Sequence, residues 1–218
     1  MSFCAVDNDV LYKGTCYQLF SELLIAVSNG GPGGVLGQAR FVVSKKLKRR
    51  PPTRGYEAAV AYLEKQLAAL ETIEPTPEEI GTAAELEFAA QKLAVALDSG
   101  ESLLAAVTHS RALDRLFTGD KRAIEALEAL LKDGFKPVEY LAGRLACLEQ
   151  GFIWLLKNDL ATEGDCRNAV CLEKQADIAL AICFSCSSPE IADGRCHEGL
   201  RAYVEALRSS APTILSPG

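Results

Sequence analysis

The sequence predicts a three-layer α/β fold with a central parallel sheet, followed by an all-helical C-terminal extension. Short apolar runs without alternation, such as Phe3–Val6, are typical of strands buried on both faces. The longer segments between them carry apolar residues at three- and four-residue steps, the period of amphipathic helices. Strand and helix alternate to about residue 135, which indicates parallel strands joined by right-handed crossovers. After Pro137 only the helical period remains.

The individual elements follow from these periods and from the breaks between them. The predicted strands are Phe3–Val6, Ala39–Val43 and Arg115–Thr118, and Asn29–Gly34 is predicted to be a flexible loop. Helices are predicted over 12–27, 56–70, 77–97, 102–107 and 121–131, with Asp120 as an N-cap, and three more between 138 and 208. We therefore expect an α/β domain over 1–135, a helical extension over 136–210 and a disordered tail over 211–218.

Composition limits the classes of function. The chain has 218 residues, a formal net charge of −6 and no run of apolar residues long enough to span a membrane. A protein with a net negative charge does not bind nucleic acid over its whole surface, so any contact with nucleic acid must be made by a local basic patch. The N-terminus carries Asp7 and Asp9 where a signal peptide would be apolar. We expect a cytoplasmic protein without a membrane partner.

Three acidic residues fall at predicted strand ends or at the start of the adjacent helix: Asp7, Glu101 and Asp120. In an open parallel sheet, binding sites form outside the carboxyl ends of the strands. Converging carboxylates repel one another and favour a bound cation, and oxygen ligands suit Mg²⁺ or Mn²⁺. The alternative is that Asp7 and Asp120 only cap helices and that Glu101 lies on a solvated surface.

These acids lie in segments that resemble the PIN-domain family of nucleases. Val6–Leu11 (VDNDVL) resembles its opening strand end, Leu97–Ala105 (LDSGESLLA) the segment with its third acid, and Leu116–Arg122 (LFTGDKR) the segment with its fourth. The resemblance covers roughly residues 1–135 and implies a PIN-like fold. It further implies a Mg²⁺- or Mn²⁺-dependent ribonuclease, in bacteria often the toxin of a toxin–antitoxin pair.

By this resemblance Asp7, Glu101 and Asp120 would bind the metal and act in catalysis, with Asp9 and Asp98 as neighbours that tune the site. An antitoxin or another protein partner is implied as well. The family's further acid, in the helix after the second strand, has no counterpart in Ser44–Arg50, although Glu85 or Glu87 is a candidate substitute. The rival hypothesis is therefore a weak or inactive PIN-like scaffold that uses its helical extension to bind a partner or to form a homo-oligomer.

A basic stretch is the densest positive patch of the chain. It comprises Lys45, Lys46, Lys48, Arg49 and Arg50, and Lys121 adds a cation beside Asp120. These residues are predicted to contact RNA phosphates, and the alternative is a solvated surface. No aromatic residue interleaves this stretch, so a stacking platform for single strands is not predicted.

Five of the eight cysteines follow residue 165, namely Cys166, Cys171, Cys183, Cys186 and Cys196. Cys183 and Cys186 have the spacing of half a zinc site, and His197 follows Cys196. Cys183 also continues the apolar stripe of a helix, where cysteine acts as a small buried hydrophobe. We expect packing, with a zinc site and a redox or disulfide role as the alternatives.

Overall fold

The computed structural model describes residues 2–189, 192 and 194–218. Five strands form one parallel sheet: β1 (Cys4–Val6), β2 (Gly33–Leu36), β3 (Glu71–Ile73), β4 (Arg115–Thr118) and β5 (Leu145–Cys147). Their order across the sheet is β3-β2-β1-β4-β5. The chain thus adds β2 and β3 on one side of β1, and then returns to add β4 and β5 on its other side. The order reverses between β1 and β4, and this is where an open parallel sheet forms a crevice.

Helices cover both faces of the sheet. They are α1 (Asn8–Tyr17), α2 (Phe20–Ser28), α3 (Ala39–Arg49), α4 (Tyr56–Leu67), α5 (Pro77–Lys92), α6 (Ser99–Ser110), α7 (Lys121–Lys132), α8 (Lys136–Glu139), α9 (Leu148–Lys157), α10 (Glu163–Leu172), α11 (Ile178–Cys183) and α12 (Arg195–Ser210). The predicted helix over 12–27 is divided into α1 and α2 because Gln18 adopts a left-handed conformation. No helix among the described residues is long and apolar enough to cross a membrane.

Two hydrophobic cores, one on each face of the sheet, make the fold three-layered. Val6 and Phe117 point into a core built with α1–α4 and α9–α11, whereas Ala5 and Leu116 point into a core built with α5–α8. This alternation is the period of two that a strand imposes. Helix α12 contributes to both cores. The predicted three-layer α/β arrangement with a central parallel sheet is confirmed.

The strand predicted at Ala39–Val43 is wrong, because these residues begin helix α3. Ala39, Val43 and Leu47 are buried at a helical spacing, while Phe41 and Val42 are exposed. The second strand instead lies at Gly33–Leu36 and overlaps the predicted loop. A Cβ on Gly33 would come within 2.8 Å of the Leu24 side chain, which would have to shift to make room for it. The glycines allow side chains of the neighbouring layer to approach the strand, and this removes its apolar signature.

The expectation that everything after residue 136 is helical is also wrong. Leu145–Cys147 forms β5, which pairs in parallel with β4, so the sheet itself crosses the boundary predicted at residue 135. Leu141, Leu145 and Leu148 have a helical spacing, but the three consecutive residues of β5 are all buried, as expected for a strand covered on both faces.

The C-terminal tail predicted to be disordered is ordered against the sheet. Leu145 donates a backbone hydrogen bond to Ile214, and Ser216 donates one to Leu145. Ile214 and Leu215 are buried, and Leu215 forms a parallel bridge with Leu145. The apolar pair within a Pro- and Ser-containing segment thus extends the outer side of β5.

Two of the C-terminal cysteines form a disulfide, Cys171–Cys186, which connects the end of α10 to the chain just after α11. Packing was the expectation for all of them, so for this pair it is wrong. The expectation holds for Cys166, Cys183 and Cys196, which are free and buried.

We predict that the double variant Cys171→Ser/Cys186→Ser is less stable than the oxidised wild type by about 3 kcal/mol, because a cross-link of this loop length restricts the unfolded chain. Urea denaturation followed by circular dichroism measures the difference. Dithiothreitol provides the control, since it should destabilise the wild type and leave the double variant unchanged. Equal stability of the two oxidised proteins would contradict the prediction.

Candidate functional site

A cleft of about 710 Å³ opens at the carboxyl ends of β1 and β4, where the strand order reverses. All five acids predicted for the site line this cleft: Asp7, Asp9, Asp98, Glu101 and Asp120. They come from three separate segments of the chain, at the end of β1, the start of α6 and the end of β4. The sheet topology therefore brings them together.

Asp7 is the most deeply placed acid at the end of β1. Its backbone N–H continues the pairing with β4 by donating to Phe117 at 3.0 Å, and Thr118 Oγ1 donates to its carboxylate at 3.4 Å. Its side chain makes no capping hydrogen bond to α1. Burial, followed by the negative charges of Asp9 and Asp98, raises the pKa of Asp7 to about 7. Asp7 is thus a carboxyl group whose ionisation needs a cation nearby.

Glu101 and Asp98 form a reciprocal cap at the start of α6. Asp98 accepts hydrogen bonds from the backbone N–H groups of Gly100 and Glu101, and the Glu101 carboxylate accepts one from the backbone of Asp98 at 3.1 Å. The pKa of Glu101 is raised to about 8, mainly by burial. The hydrogen bond from the Asp98 backbone lowers this pKa, and the negative charges of Asp98, Asp120 and Asp7 raise it further. The capping box fixes two acids at the rim of the cleft.

Asp120 both caps α7 and lines the cleft. Its carboxylate accepts a hydrogen bond from the backbone of Arg122 at 2.8 Å and forms an ion pair with that residue's guanidinium at 2.7 Å. Burial alone would raise the pKa of Asp120, but the hydrogen bonds and charge of Arg122 outweigh it and lower the pKa. The predicted N-cap is confirmed, and the cap does not turn the residue away from the cleft.

Two lysines neutralise Asp9 on the other wall. Lys13 lies 2.5 Å from one carboxylate oxygen of Asp9, and Lys46 lies 2.7 Å from the other. Lys13 also pairs with Asp177 at 2.6 Å, and Lys46 lies over the ring of Tyr12. Although burial raises the pKa of Asp9, the two lysines hold it below its ordinary value. The cleft therefore has an acidic wall, where Asp7, Asp98 and Glu101 form no salt bridge with a described residue, and a charge-balanced wall at Asp9.

Sequence reasoning missed Lys13, Asp177 and Gln38, which also line the cleft. Lys13 follows Asp9 by one helical turn, and this spacing is the one signal that could have been read. Asp177 is the N-cap of α11 and accepts a hydrogen bond from the backbone N–H of Leu180 at 2.9 Å, so its sequence context predicts only a helix cap. Its position in the cleft depends on the packing of the C-terminal region.

The predicted RNA-contacting cations divide into two groups. Lys46 and Lys121 line the cleft, and Lys121 lies 3.6 Å from the centre of the Tyr203 ring. The remainder point to solvent from α3 or directly after it: Lys45, Lys48, Arg49 and Arg50. The region of the helix after β2 supplies Gln38 and Lys46 to the cleft but no carboxylate. The two candidate substitutes for the missing acid, Glu85 and Glu87, do not line the cleft.

The oxygen-rich acidic wall fits Mg²⁺ or Mn²⁺ by the chemistry of its donors. Among the described residues, however, no three His, Cys, Asp or Glu side chains are grouped closely enough to hold a metal ion. The local contacts explain this spread, because Glu101 bonds to the Asp98 backbone and Asp120 bonds to Arg122. Carboxylates held by such local bonds would have to exchange them for a metal.

Comparison with known proteins finds no relative of this chain. No protein-family model matches the chain, and no curated protein or solved structure matches it. The resemblance to PIN-domain proteins therefore stays a prediction that rests on the three segments around Asp7, Glu101 and Asp120.

The raised pKa of Asp7 predicts a pH-dependent stability. The folded protein keeps a proton on Asp7 up to about pH 7, whereas the unfolded chain loses it near its ordinary value of 3.8, so stability falls as the pH rises between them. Asp7→Asn removes this loss. We expect the variant to be more stable than wild type at pH 8 by about 2–4 kcal/mol and to differ much less at pH 4.

Urea denaturation at both pH values measures this effect, and Asp120→Asn is the contrasting variant. Because the pKa of Asp120 is lowered by Arg122, its carboxylate stabilises the fold above pH 4, and its replacement should reduce stability at pH 8. A stability difference for Asp7→Asn that is the same at both pH values would show that Asp7 is not perturbed.

Lys13 provides a second test of the cleft's electrostatics. Lys13→Met leaves Asp177 without this cation and removes half the neutralisation of Asp9, so we expect a loss of about 3 kcal/mol at pH 7. The loss should shrink as the pH falls, because without Lys13 the burial of Asp9 raises its pKa and favours its uptake of a proton in the variant. Denaturation of Lys65→Met, an exposed lysine on α4, gives the matched control and should show little change.

Proposed function

We propose that the chain is a PIN-like nuclease that uses Mg²⁺ or Mn²⁺ in this cleft to hydrolyse phosphodiester bonds of RNA. The observation that carries the proposal is the pair of buried acids, Asp7 and Glu101, in one cleft at the carboxyl ends of β1 and β4. Their raised pKa values mark a site where negative charge is unfavourable until a cation binds.

The residues that would hold the metal are Asp7, Glu101 and Asp120, with Asp9 and Asp98 beside them. A bound Mg²⁺ or Mn²⁺ would supply a water of lowered pKa and neutralise charge on the phosphodiester. The protein orients Asp7 through Thr118 and fixes Asp9 through Lys13 and Lys46. Because the metal binds ionised carboxylates, its affinity should increase from pH 6 to pH 8 and its binding should release protons.

The choice of RNA as substrate follows from the resemblance and is supported by the position of the cations. Lys46 and Lys121 both line the cleft, where we expect them to contact phosphates of a bound strand. The exposed cations of the basic stretch continue from the cleft along α3. An antitoxin or other protein partner stays a prediction that derives from the resemblance, and a homo-oligomer stays a prediction of the rival scaffold hypothesis.

A second candidate is a PIN-like protein that binds RNA or another partner without cleaving. The observation that favours it is the neutralisation of Asp9 by Lys13 and Lys46, together with the lack of an acid from the helix after β2. In that case these ion pairs, and not a bound metal, would balance the charge of Asp9.

The test is a calorimetric titration with Mn²⁺ and Mg²⁺ alongside cleavage of a fluorescently labelled RNA. We expect wild type to bind metal and cleave, and Asp7→Asn and Glu101→Gln each to reduce the cleavage rate by about 100-fold or more, because they remove a metal ligand. Glu85→Gln, an exposed acid on α5 outside the cleft, is the matched control and should behave as wild type.

The outcomes separate the two candidates. Metal binding and cleavage that are both lost in Asp7→Asn and Glu101→Gln support the nuclease. Absence of cleavage by wild type at millimolar metal would contradict hydrolysis, and RNA binding without cleavage would favour the second candidate.

A further inference from the structure

Phe41 is an aromatic side chain that the fold leaves in solvent. It lies near the start of α3 and is 75% exposed, the largest fraction among the exposed large hydrophobic residues described. The sequence placed it inside a strand, where it would have been part of the core. Because α3 is a helix, burial of Ala39, Val43 and Leu47 turns Phe41 to the opposite side. An exposed ring of this size is available to a ligand.

Cations of the basic stretch follow this ring along the surface of α3. Lys45 and Lys48 follow Phe41 by four and seven residues, so the three side chains lie in one row along the exposed face of α3. Arg49 lies next to this row. Among the described residues, no carboxylate forms a salt bridge with Lys45, Lys48 or Arg49, whereas Arg40 and Lys46 at the flanks are both paired. The row is thus an aromatic surface with unneutralised cations beside it.

This face is continuous with the cleft. Gln38, directly before α3, lines the cleft and precedes Phe41 by three residues, so the row of Phe41, Lys45 and Lys48 begins beside a cleft residue. A strand that leaves the acidic site along α3 would therefore pass the row of Phe41, Lys45 and Lys48. An aromatic ring with flanking cations is the arrangement that binds unpaired bases, since every base can stack and each phosphate can contact a cation.

We propose that the exposed face of α3 binds single-stranded RNA, with an unpaired base stacked on Phe41 and the adjoining phosphates held by Lys45 and Lys48. This inference rests on the proposed function in naming RNA as the ligand, and it deepens that function by assigning a base-stacking subsite on α3, outside the acidic cleft. In duplex RNA the bases are stacked on each other and are not available to Phe41. The face therefore selects single strands by stacking and holds them by charge.

The experiment is a fluorescence anisotropy titration of a labelled 12-nucleotide single-stranded RNA in EDTA, compared with the same sequence as a duplex. We expect Phe41→Ala to weaken single-strand binding by about 5- to 100-fold, the range that loss of one stacked base produces. Duplex binding should change by less than about 2-fold, because phosphate contacts dominate it. Phe41→Trp should retain or strengthen single-strand binding.

Phe88→Ala is the matched control. Phe88 is another exposed phenylalanine, 59% exposed, with Lys92 over its ring at 4.3 Å, but it lies on α5 on the other face of the sheet. It should leave RNA binding unchanged. Equal effects of Phe41→Ala and Phe88→Ala, or equal weakening of single-strand and duplex binding, would overturn the inference. A competition experiment with an acidic peptide tests for a protein ligand. If the peptide displaces RNA from the wild type, and binds Phe41→Trp but not Phe41→Ala, the face binds protein and the inference is overturned.

The absence of metal in this assay separates the two proposals. Single-strand binding that depends on Phe41, without cleavage on addition of Mn²⁺, would sustain the binding face and refute hydrolysis. Cleavage in Mn²⁺ with no dependence on Phe41 in either assay would sustain hydrolysis and refute the binding face.

Discussion

The parallel pairing of β1 with β4 is the constraint on which the site depends. Val6 is in register with Phe117, so both strands end at the same level of the sheet. The N–H of Asp7 extends that pairing by one more hydrogen bond, to Phe117. Thr118 and the Gly119–Asp120 turn are thereby fixed beside Asp7, although more than a hundred residues separate them. A Cβ on Gly119 would lie 2.6 Å from a carboxylate oxygen of Asp9, so the turn approaches the acids as closely as backbone permits.

The electrostatics of the cleft follow from where each acid finds a partner. Asp9 and Asp120 have cations within hydrogen-bonding distance and ionise readily, whereas Asp7 and Glu101 are buried among other acids and hold their protons to near-neutral pH. One cleft therefore holds carboxyl groups in two different states at the same pH. The difference arises from Lys13, Lys46 and Arg122, which pair with some of the acids and not with others, because the intrinsic pKa values of the acidic side chains differ little.

Local signals predicted much of this structure, and the parts that failed depend on long-range packing. Val6–Asp7 and Thr118–Asp120 were placed correctly because in each case a short apolar run ends abruptly at an acidic residue before a helical period begins. Gly33–Leu36 was missed because glycines replace the apolar residues of a strand wherever side chains press on its backbone. Phe41 and Val42 resembled a strand because a short apolar run has no period of its own. The position of Asp177 beside Lys13 depends on how α10, α11 and α12 pack, which no local pattern encodes.

The two edges of the sheet are closed in different ways. On one side, the segment around Ile214–Ser216 covers β5 with backbone hydrogen bonds. On the other, β3 has only three residues, and Glu71 and Thr72 are exposed on it. Short, charged or covered edges do not template the addition of a strand from another chain, which is the usual route to sheet-mediated aggregation. The sheet therefore offers little open strand edge to another chain, because β5 is covered and β3 is only three residues long.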